Sequence, residues 1–237
     1  RSVADACVAA LGPADITQGD AVISLRGLLA LISAYEWRKK GALVPALDAR
    51  IHPHFGVFSP VRGEYVDLVA RAALPPSCDL ALDIGTGSGV LTCLLVKRGI
   101  AHVIGTDLDP RALACARENV ARLGYTAQVE ILEANLFPEN TPPANLIVCN
   151  PPWLPAIPTS PVEAAIYDPD SQMLRAFLAG VAKHLAPEGE AWLIISDIAE
   201  RLGLRSREQL LAWITAGGLV VSQRMDTQPT HPKTRNN

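Results

Sequence analysis

The stretch from Leu146 to Pro155, "LIVCNPPWLP", holds the residues whose types and order most suggest chemistry. An apolar run ends in one polar amide, Asn150, which is followed by Pro151, Pro152 and Trp153. Each proline fixes its own φ angle and lacks an N–H, so neither a helix nor an interior strand continues through this stretch. The pattern therefore predicts a polar amide and a flat aromatic ring held rigidly at the end of a buried strand. The alternative is a surface turn with a half-buried tryptophan, which we would favour for this stretch in isolation.

A second group of residues lies in "LDIGTGSG", where Asp83 precedes glycines at 85, 87 and 89. Glycines let the backbone turn sharply and let a ligand approach it closely. Such a turn between a strand and a helix is where open α/β sheets bind nucleotides. A dinucleotide fingerprint would instead have the spacing Gly-x-Gly-x-x-Gly. Taken alone, the pattern is also compatible with a tight turn that binds nothing.

Asp107 ends the next predicted strand, "IGTD", about 20 residues beyond the glycines, the distance at which an acid usually holds ribose hydroxyls. The alternative role for Asp107 is a helix N-cap, but Asp109 is better placed for that role. Asp83 also offers a negative charge to a cationic head group. Together, the two acids beside the glycine turn suit a ligand with a ribose and an amino-acid head.

Strands and helices alternate along most of the chain, which is typical of a parallel, doubly wound sheet. The predicted strands are nearly continuous apolar runs, as expected when both faces of a sheet are covered. They are "CDLALDIGTG", "AHVIGTD", "AQVEILEA", "ANLIVCN", "GEAWLIIS" and "LVVSQRM". We predict an α/β fold in which residues 1–55 form a small helical N-terminal segment and residues 56–237 form the main domain. Ser24 is the predicted N-cap of a helix over Leu25–Lys40.

Composition narrows the possible classes of protein. The 237 residues fit one large domain, or one domain with a small appendage, and 49% of them are hydrophobic. The net charge of −3 predicts no general attraction to nucleic acid. The five cysteines are scattered and the five histidines lack ligand spacing, so neither a metal site nor a disulfide framework is predicted. No signal peptide or membrane-spanning run is visible, which predicts a cytoplasmic protein.

Four stretches together resemble class I S-adenosylmethionine-dependent methyltransferases. They are "LDIGTGSG", "IGTDLDPRALACARENVARLG", "EANLF" and "LIVCNPPW", in that order. The similarity is greatest to the small-domain group, which includes the HemK/PrmC glutamine methyltransferases and the RsmC-type ribosomal RNA guanine methyltransferases. It extends over roughly Gly56 to Met225. The glycine turn is moderately specific, whereas its combination with Asn-Pro-Pro-aromatic is highly specific.

The resemblance implies S-adenosylmethionine as the cofactor, and it assigns the cofactor contacts. In the group, the glycine turn contacts the methionine part, and an acid after the second strand holds the ribose. The residues carried over are Asp83, Gly85, Thr86 and Gly87 for the methionine part, Asp107 for the ribose, Leu108, Asn135 and Leu136 for the adenine side, and Phe58 as a cover. Core packing is an equal alternative for Phe58.

The resemblance also gives Asn-Pro-Pro-Trp a chemical role. In the family, the side-chain oxygen of the Asn and the carbonyl after it accept hydrogen bonds from the N–H groups of a planar nitrogen. Here those acceptors would be Asn150 and Pro151. Two acceptors orient the nitrogen and favour the positive charge that develops on it. Pro152 would stiffen the loop and Trp153 would supply a stacking face, so no general base is required.

Two kinds of acceptor fit this implied N-methyltransferase. An exocyclic base amine of RNA or DNA is slightly favoured over a glutamine amide in a protein such as a release factor. HemK-like proteins often have Asp where Asn135 stands and usually have Tyr where Trp153 stands, and both differences favour a base. The acidic pI of 6.0 favours a protein. The oligomeric state is not predicted.

Two hypotheses that assign the protein to another functional class are less well supported by the sequence. A non-catalytic cofactor-binding module is disfavoured because Asp83, Asp107 and Asn150 are all present. An NAD-dependent dehydrogenase would share Asp107 but would leave Asn-Pro-Pro-Trp unexplained.

The resemblance also implies a Rossmann-like sheet of seven strands, the last of them antiparallel. The final residues, "DTQPTHPKTRNN", are polar and not strand-like, so we expect the last strand to be missing and the edge of the sheet to look incomplete. The Pro-rich connection from Pro151 through "AIYDPDSQ" is predicted to be a loop that faces the substrate.

Overall fold

The computed structural model describes residues 2–13, 22–60, 63–157 and 166–228. Two sets of elements make up these residues. The helices are α1 (Ser2–Leu11), α2 (Leu25–Lys40), α3 (Glu64–Arg71), α4 (Val90–Lys97), α5 (Pro110–Arg122), α6 (Gln172–Gly180), α7 (Ile198–Arg201) and α8 (Arg207–Ala216). The strands are β1 (Ala42–Val44), β2 (Ala49–Ile51), β3 (Leu80–Ile84), β4 (His102–Asp107), β5 (Val129–Glu133), β6 (Ala144–Cys149) and β7 (Leu185–Leu193).

Five strands form one sheet in the order β5-β4-β3-β6-β7, and every neighbouring pair is parallel. The chain builds outward from β3 to β5 on one side and then crosses to β6 on the other. The strand order therefore reverses between β3 and β6. In open α/β sheets, ligands bind in the crevice at the carboxyl ends of the strands at such a point. The α/β, doubly wound fold class predicted from the sequence is confirmed.

Alternate residues of the central strands face opposite sides, and each side is covered by helices. Ala81, Val103 and Leu146 pack with α3, α4 and α5 in one buried cluster. Leu82 and Ile147 pack with α6 and α8 in the other. Burial on both faces explains why these strands are apolar throughout rather than alternating.

The N-terminal part contains α1, α2 and the antiparallel hairpin of β1 and β2. Ser24 caps α2, as predicted, by accepting a hydrogen bond from the Gly27 N–H at 3.0 Å. The prediction of a helical segment is wrong for residues 42–51, because Val44, Leu47 and Ile51 are buried against the α3–α4 side of the sheet as a hairpin. No helix among the described residues is both long and apolar enough to cross a bilayer.

The stretch Leu219–Met225 belongs to no strand, so its prediction as the sixth strand is wrong. A strand requires a neighbour to complete its backbone hydrogen bonds, and the described residues form no ladder with this stretch. Val220 is 90% exposed, so its apolar character does not reflect burial. The sheet thus has five strands in the described residues, with β7 at one edge. Residues 158–165 of the predicted substrate-facing loop and residues 229–237 of the polar tail lie outside the described residues.

Candidate active site

The sheet brings the two sequence motifs to one place. In the pairing of β3 with β6, Ile84 lies opposite Cys149. The glycine turn begins directly after Ile84, and Asn-Pro-Pro-Trp begins directly after Cys149. In the pairing of β3 with β4, Ile84 lies opposite Thr106, so Asp107 follows at the same edge. The glycine turn, Asp107 and Asn-Pro-Pro-Trp therefore follow the carboxyl ends of three adjacent strands.

The glycine turn has a conformation that requires glycine. Gly85, Gly87 and Gly89 have φ values of 73°, 54° and 78°, which other residues rarely adopt. A Cβ on Gly89 would lie 3.1 Å from the Cα of Ala116 in α5, so the turn packs directly on that helix. A Cβ on Gly87 would meet no atom nearer than the Gly85 carbonyl oxygen at 4.0 Å. The space beside Gly87 is therefore open.

Asp83 is 1% exposed, and its side chain stabilises this turn by hydrogen bonds. Its Oδ2 accepts hydrogen bonds from the Thr86 hydroxyl at 2.9 Å, the Thr92 hydroxyl at 2.7 Å and the Thr92 N–H at 3.0 Å. Burial raises the pKa of Asp83, and these hydrogen bonds oppose that increase. The structure thus uses the carboxylate and Thr86 to hold the turn. Contact of Asp83 or Thr86 with the methionine part of a cofactor stays a prediction.

Asp107 is held by two backbone N–H groups. Its Oδ2 accepts from Gly87 at 3.0 Å and its Oδ1 accepts from Asp109 at 3.0 Å. Burial raises the pKa of Asp107, while the backbone hydrogen bonds lower it. Asp109 caps α5 by accepting from the Arg111 N–H at 2.9 Å, which confirms the predicted cap. Asp107 is therefore free of the capping role, and its position at the end of β4 is the one expected of a ribose ligand.

The residues predicted for the adenine side flank the end of β4. Leu108 follows Asp107 and is 57% exposed. Asn135 and Leu136 lie in the loop after β5, where Asn135 is exposed. Leu136 has a positive φ of 67°, and its carbonyl accepts a hydrogen bond from the Thr106 hydroxyl at 2.7 Å. This bond fixes the loop beside Asp107, although cofactor contact by these residues stays a prediction.

Asn150 and Trp153 are bonded to each other. The indole N–H of Trp153 donates to the Asn150 side-chain oxygen at 3.1 Å. Because an indole N–H can only donate, this bond fixes which end of the amide is the oxygen. Pro151 is buried and Pro152 is half-buried. The predicted acceptor oxygen is thus oriented within the protein.

Phe58 lies on the same side of the sheet as Trp153. Both rings are partly buried against the α3–α4 core cluster. Val57, the preceding residue, packs with Ala112 and Cys115 of α5. Core packing of Phe58 is therefore observed, and a role in covering the cofactor stays a prediction.

Asp168 supports the loop that follows Trp153, a role that was not predicted from the sequence. Asp168 receives the Met173 and Leu174 N–H groups at 2.9 and 3.1 Å, and its own N–H donates to the Leu154 carbonyl at 2.7 Å. The methyl group of Met173 would lie 3.2 Å from a Cβ on Gly85. Asp168 thereby ties the loop after Trp153 to α6. An acid just before a predicted helix was the available signal in "YDPDSQ".

The described residues contain no group of three or more His, Cys, Asp or Glu side chains arranged to hold a metal ion. The site instead consists of a glycine turn, two buried or half-buried acids and an oriented amide. This inventory suits a ligand recognised by hydrogen bonds and a reaction promoted by orientation.

The family model for the methyltransferase small domain matches residues 48–203. The chain belongs to the methyltransferase small domain family. This confirms the family resemblance and the sequence-based prediction of an S-adenosylmethionine-dependent methyltransferase domain.

Named relatives of the methyltransferase domain differ in their acceptors. The release factor glutamine methyltransferase of Cereibacter sphaeroides is 35% identical over 175 residues, which are 65% of this chain and 63% of that protein. The tRNA1(Val) (adenine(37)-N6)-methyltransferase of Bacteroides thetaiotaomicron is 31% identical over 134 residues, 54% of this chain and 56% of that protein. The chain thus spans less than two thirds of the length of these relatives.

The fold of the methyltransferase domain is shared with a solved structure. The ribosomal protein L11 methylase of Lactobacillus delbrueckii subsp. bulgaricus superimposes with a TM-score of 0.53 at 20% identity, over 77% of this chain and 82% of that one. At this identity the similarity concerns the fold alone.

The residues of the methyltransferase domain fit S-adenosylmethionine. The open space beside Gly87 lets a ligand approach the backbone of the turn. Asp107 stands at the end of β4 with its carboxylate fixed, and the exposed Leu108 follows it. A nucleoside would therefore meet an oxygen acceptor and an apolar side chain next to the turn.

Proposed function

We propose that this protein is an S-adenosylmethionine-dependent N-methyltransferase that acts on a planar nitrogen, with an exocyclic base amine of RNA or DNA as the favoured acceptor. Residues 1–55 are an accessory segment in this proposal, and residues 56–237 are the catalytic domain. The family assignment supports the reaction class. The acceptor and the catalytic roles rest on the residues at the end of β6.

The observation that carries the proposal is the placement of Asn150 one residue beyond Cys149, which pairs with Ile84 at the start of the glycine turn. S-adenosylmethionine bound at the turn supplies a methyl group on a sulfonium. Asn150 Oδ1 and the Pro151 carbonyl accept the N–H groups of the acceptor and hold its nitrogen in one orientation. Both acceptors also favour positive charge on that nitrogen. The product proton leaves to solvent, so no side chain has to act as a base.

Trp153 favours a nucleobase. Its indole is partly buried against the core and bonded to Asn150, which keeps a flat apolar face next to the acceptor position. Base–aromatic stacking contributes about 1–3 kcal/mol per base. A glutamine amide has no ring to stack and gains less from a fixed indole.

A glutamine amide is the second candidate. The release factor glutamine methyltransferase of Cereibacter sphaeroides is 35% identical to this chain over 175 residues. The amide of glutamine is also a planar nitrogen with two N–H groups, so the same two acceptors would serve it.

Transfer of labelled methyl from S-adenosylmethionine into total RNA and into total protein tests the proposal. We expect label in RNA and its loss by at least about 100-fold in Asn150→Ala, the scale seen when an orienting hydrogen-bond group is removed. Binding of S-adenosylmethionine by that variant, measured by calorimetry, should be unchanged.

Asn145→Ala is the matched control, because Asn145 stands at the opposite end of β6. Its side-chain oxygen accepts from the Asp79 and Leu80 N–H groups, far from the motif along the strand.

The outcomes of the transfer experiment separate the proposals. Label found in protein and not in RNA would make a glutamine amide, rather than a base amine, the acceptor. Equal transfer by Asn150→Ala and the wild type would refute the role of Asn150. Cofactor binding without any transfer would favour a non-catalytic module.

A further inference from the structure

A buried side-chain amide in α5 is hydrogen-bonded to the backbone of the glycine turn. Asn119 is 1% exposed, and it is not among the residues assigned above to the cofactor or to the reaction. Its Nδ2 donates to the Ser88 carbonyl at 3.0 Å and to the His52 carbonyl at 3.3 Å. Its Oδ1 accepts from the His52 N–H at 2.8 Å. Both ends of the amide are therefore used, and one of them holds the turn itself.

The bond to Ser88 completes the fixing of one peptide unit. The carbonyl of that unit belongs to Ser88 and bonds to Asn119, while its N–H belongs to Gly89 and donates to the Thr86 carbonyl at 2.8 Å. The Thr86–Gly87 peptide, two units earlier, is held by the bond from the Gly87 N–H to Asp107. Two peptides of the turn are thus anchored to different elements, α5 and the end of β4.

Such anchoring matters because the turn is made of glycines with positive φ, which have many other conformations available. A ligand that binds only one conformation loses affinity in proportion to the population of the others. Without the Asn119 amide, the Ser88–Gly89 peptide could rotate away from α5 and change the direction of its neighbours.

We infer that Asn119 is a positioning residue for the glycine turn and sets the affinity of the protein for S-adenosylmethionine by keeping the turn in its binding conformation. The inference rests on the proposed function for the identity of the ligand. The contact between Asn119 and the turn does not depend on it.

Asn119 also holds the chain that enters the domain, because both backbone groups of His52 bond to it. Its loss would therefore reduce stability as well. A control is needed that disturbs the same junction without touching the turn. Glu118, the neighbouring residue, accepts from Arg38, His54 and Arg122, and among the described residues its carboxylate bonds to none in the turn.

The experiment is a calorimetric titration with S-adenosylmethionine and with S-adenosylhomocysteine, at a temperature where each protein is folded. Asn119→Ala should bind both about 2- to 12-fold more weakly than the wild type, the factor expected for loss of one neutral hydrogen bond that orders a binding loop. Asn119→Asp keeps the size and one acceptor but cannot donate to Ser88, so it should be weakened as well. Glu118→Gln should bind within about twofold of the wild type.

Hydrogen–deuterium exchange without ligand provides a second readout. In the Asn119 variants, the peptide that covers residues 85–92 should exchange faster than in Glu118→Gln. Affinity and exchange equal to those of Glu118→Gln would overturn the inference and leave Asn119 a purely structural role. A wild-type protein that binds neither ligand would refute the proposed function, while the exchange result would still decide the role of Asn119. If Asn119→Ala does not fold, Asn119→Leu, which has about the size of asparagine but no charge and no donor for Ser88, decides it.

Discussion

At the scale of single residues, the polar side chains at the carboxyl edge of the sheet already have partners within the protein. Asp83 binds Thr86 and Thr92, Asp107 binds backbone N–H groups, and Asn150 binds Trp153. Such bonds fix the orientation of each oxygen before a ligand arrives. Fixed acceptors do not need to reorganise during the reaction, which is how preorganised polar groups promote it.

The bond between Trp153 and Asn150 can be tested by Trp153→Phe, which keeps a flat ring and removes the N–H donor. The Asn150 amide would then be free to rotate, and we expect methyl transfer into the acceptor to fall about 2- to 12-fold, corresponding to one neutral hydrogen bond. Initial rates of label transfer into RNA measure this effect. Binding of S-adenosylmethionine should not change.

Trp192→Phe is the matched control for that change. The Trp192 indole N–H donates to Glu190 at 2.8 Å on β7, so the same donor is removed from a place with no role in transfer. An equal loss of rate in both variants, or no loss in Trp153→Phe, would contradict the proposed effect of the indole.

At the scale of elements, α5 connects the N-terminal helices to the sheet through Glu118. Its carboxylate accepts from Arg38 of α2 at 2.7 Å, from His54 at 2.7 Å and from Arg122 at 2.6 Å. Burial would raise the pKa of Glu118, but the three hydrogen bonds outweigh burial and lower the pKa to about 2. Burial lowers the pKa of His54 despite this bond. Glu118 therefore stays ionised in the folded protein at pH values well below its ordinary pKa.

This depressed pKa predicts how Glu118 affects stability as the pH falls. The carboxylate contributes fully above its ordinary pKa of 4.5, and its contribution is lost as the pH falls from there to about 2. Glu118→Gln should lower the free energy of unfolding by about 1.5 to 3 kcal/mol at pH 7, the range for hydrogen bonds to charged groups. The difference between the two proteins, measured by urea denaturation, should shrink between pH 4.5 and pH 2.

His54 must be considered in the same measurement, because it faces Glu118. Its lowered pKa means that protonation as the pH falls below its ordinary value of 6.5 also disfavours the folded state, so both groups act in the same direction. The comparison is therefore made at pH values below 5, where His54 contributes a smaller change. A wild-type-to-variant difference that stays constant from pH 5 to pH 2 would show that Glu118 has no depressed pKa.

The elements that position the site could be predicted from the sequence. The apolar runs that became β3, β4 and β6 are buried on both faces, and the turn and cap residues between them follow local rules. The hairpin of residues 42–51 could not be predicted, because its strands have three residues each and its apolar residues pack on α3 and α4, which are distant in the sequence. The prediction of a strand at Leu219–Met225 was wrong, because its β-branched residues favour a strand but no neighbouring strand of the described residues pairs with them.

The supporting contacts of the site were less predictable than its positions. That Asp83, Asp107 and Asn150 share one edge follows from the order of strands in a doubly wound sheet. The contacts that hold and support them depend on side-chain geometry and on how the helices pack. Thr92, Asn119 and Asp168 are ordinary polar residues in the sequence, and only the packing of α4, α5 and α6 brings them to the turn and loops.

At the scale of the whole molecule, the proposed cofactor crevice lies where helices from both faces of the sheet meet its carboxyl edge. The glycine turn packs on α5 through Gly89, whereas Met173 approaches Gly85 from α6 on the other face. A ligand in the crevice would thus contact both layers of the domain. Binding there is coupled to the stability of the folded state as a whole, because the unfolded chain has no such crevice.

This coupling predicts that S-adenosylmethionine raises the melting temperature. A ligand that binds only the folded state at 100 times its Kd adds about 2.7 kcal/mol to the free energy of unfolding. For a domain of this size, about 2–4 °C of melting temperature corresponds to each kcal/mol, so we expect an increase of about 5–10 °C. Thermal denaturation followed by intrinsic tryptophan fluorescence measures it, with NAD at the same concentration as the control. An increase with NAD instead would favour a dehydrogenase, and no increase with S-adenosylmethionine or S-adenosylhomocysteine would contradict binding in the crevice between β3 and β6.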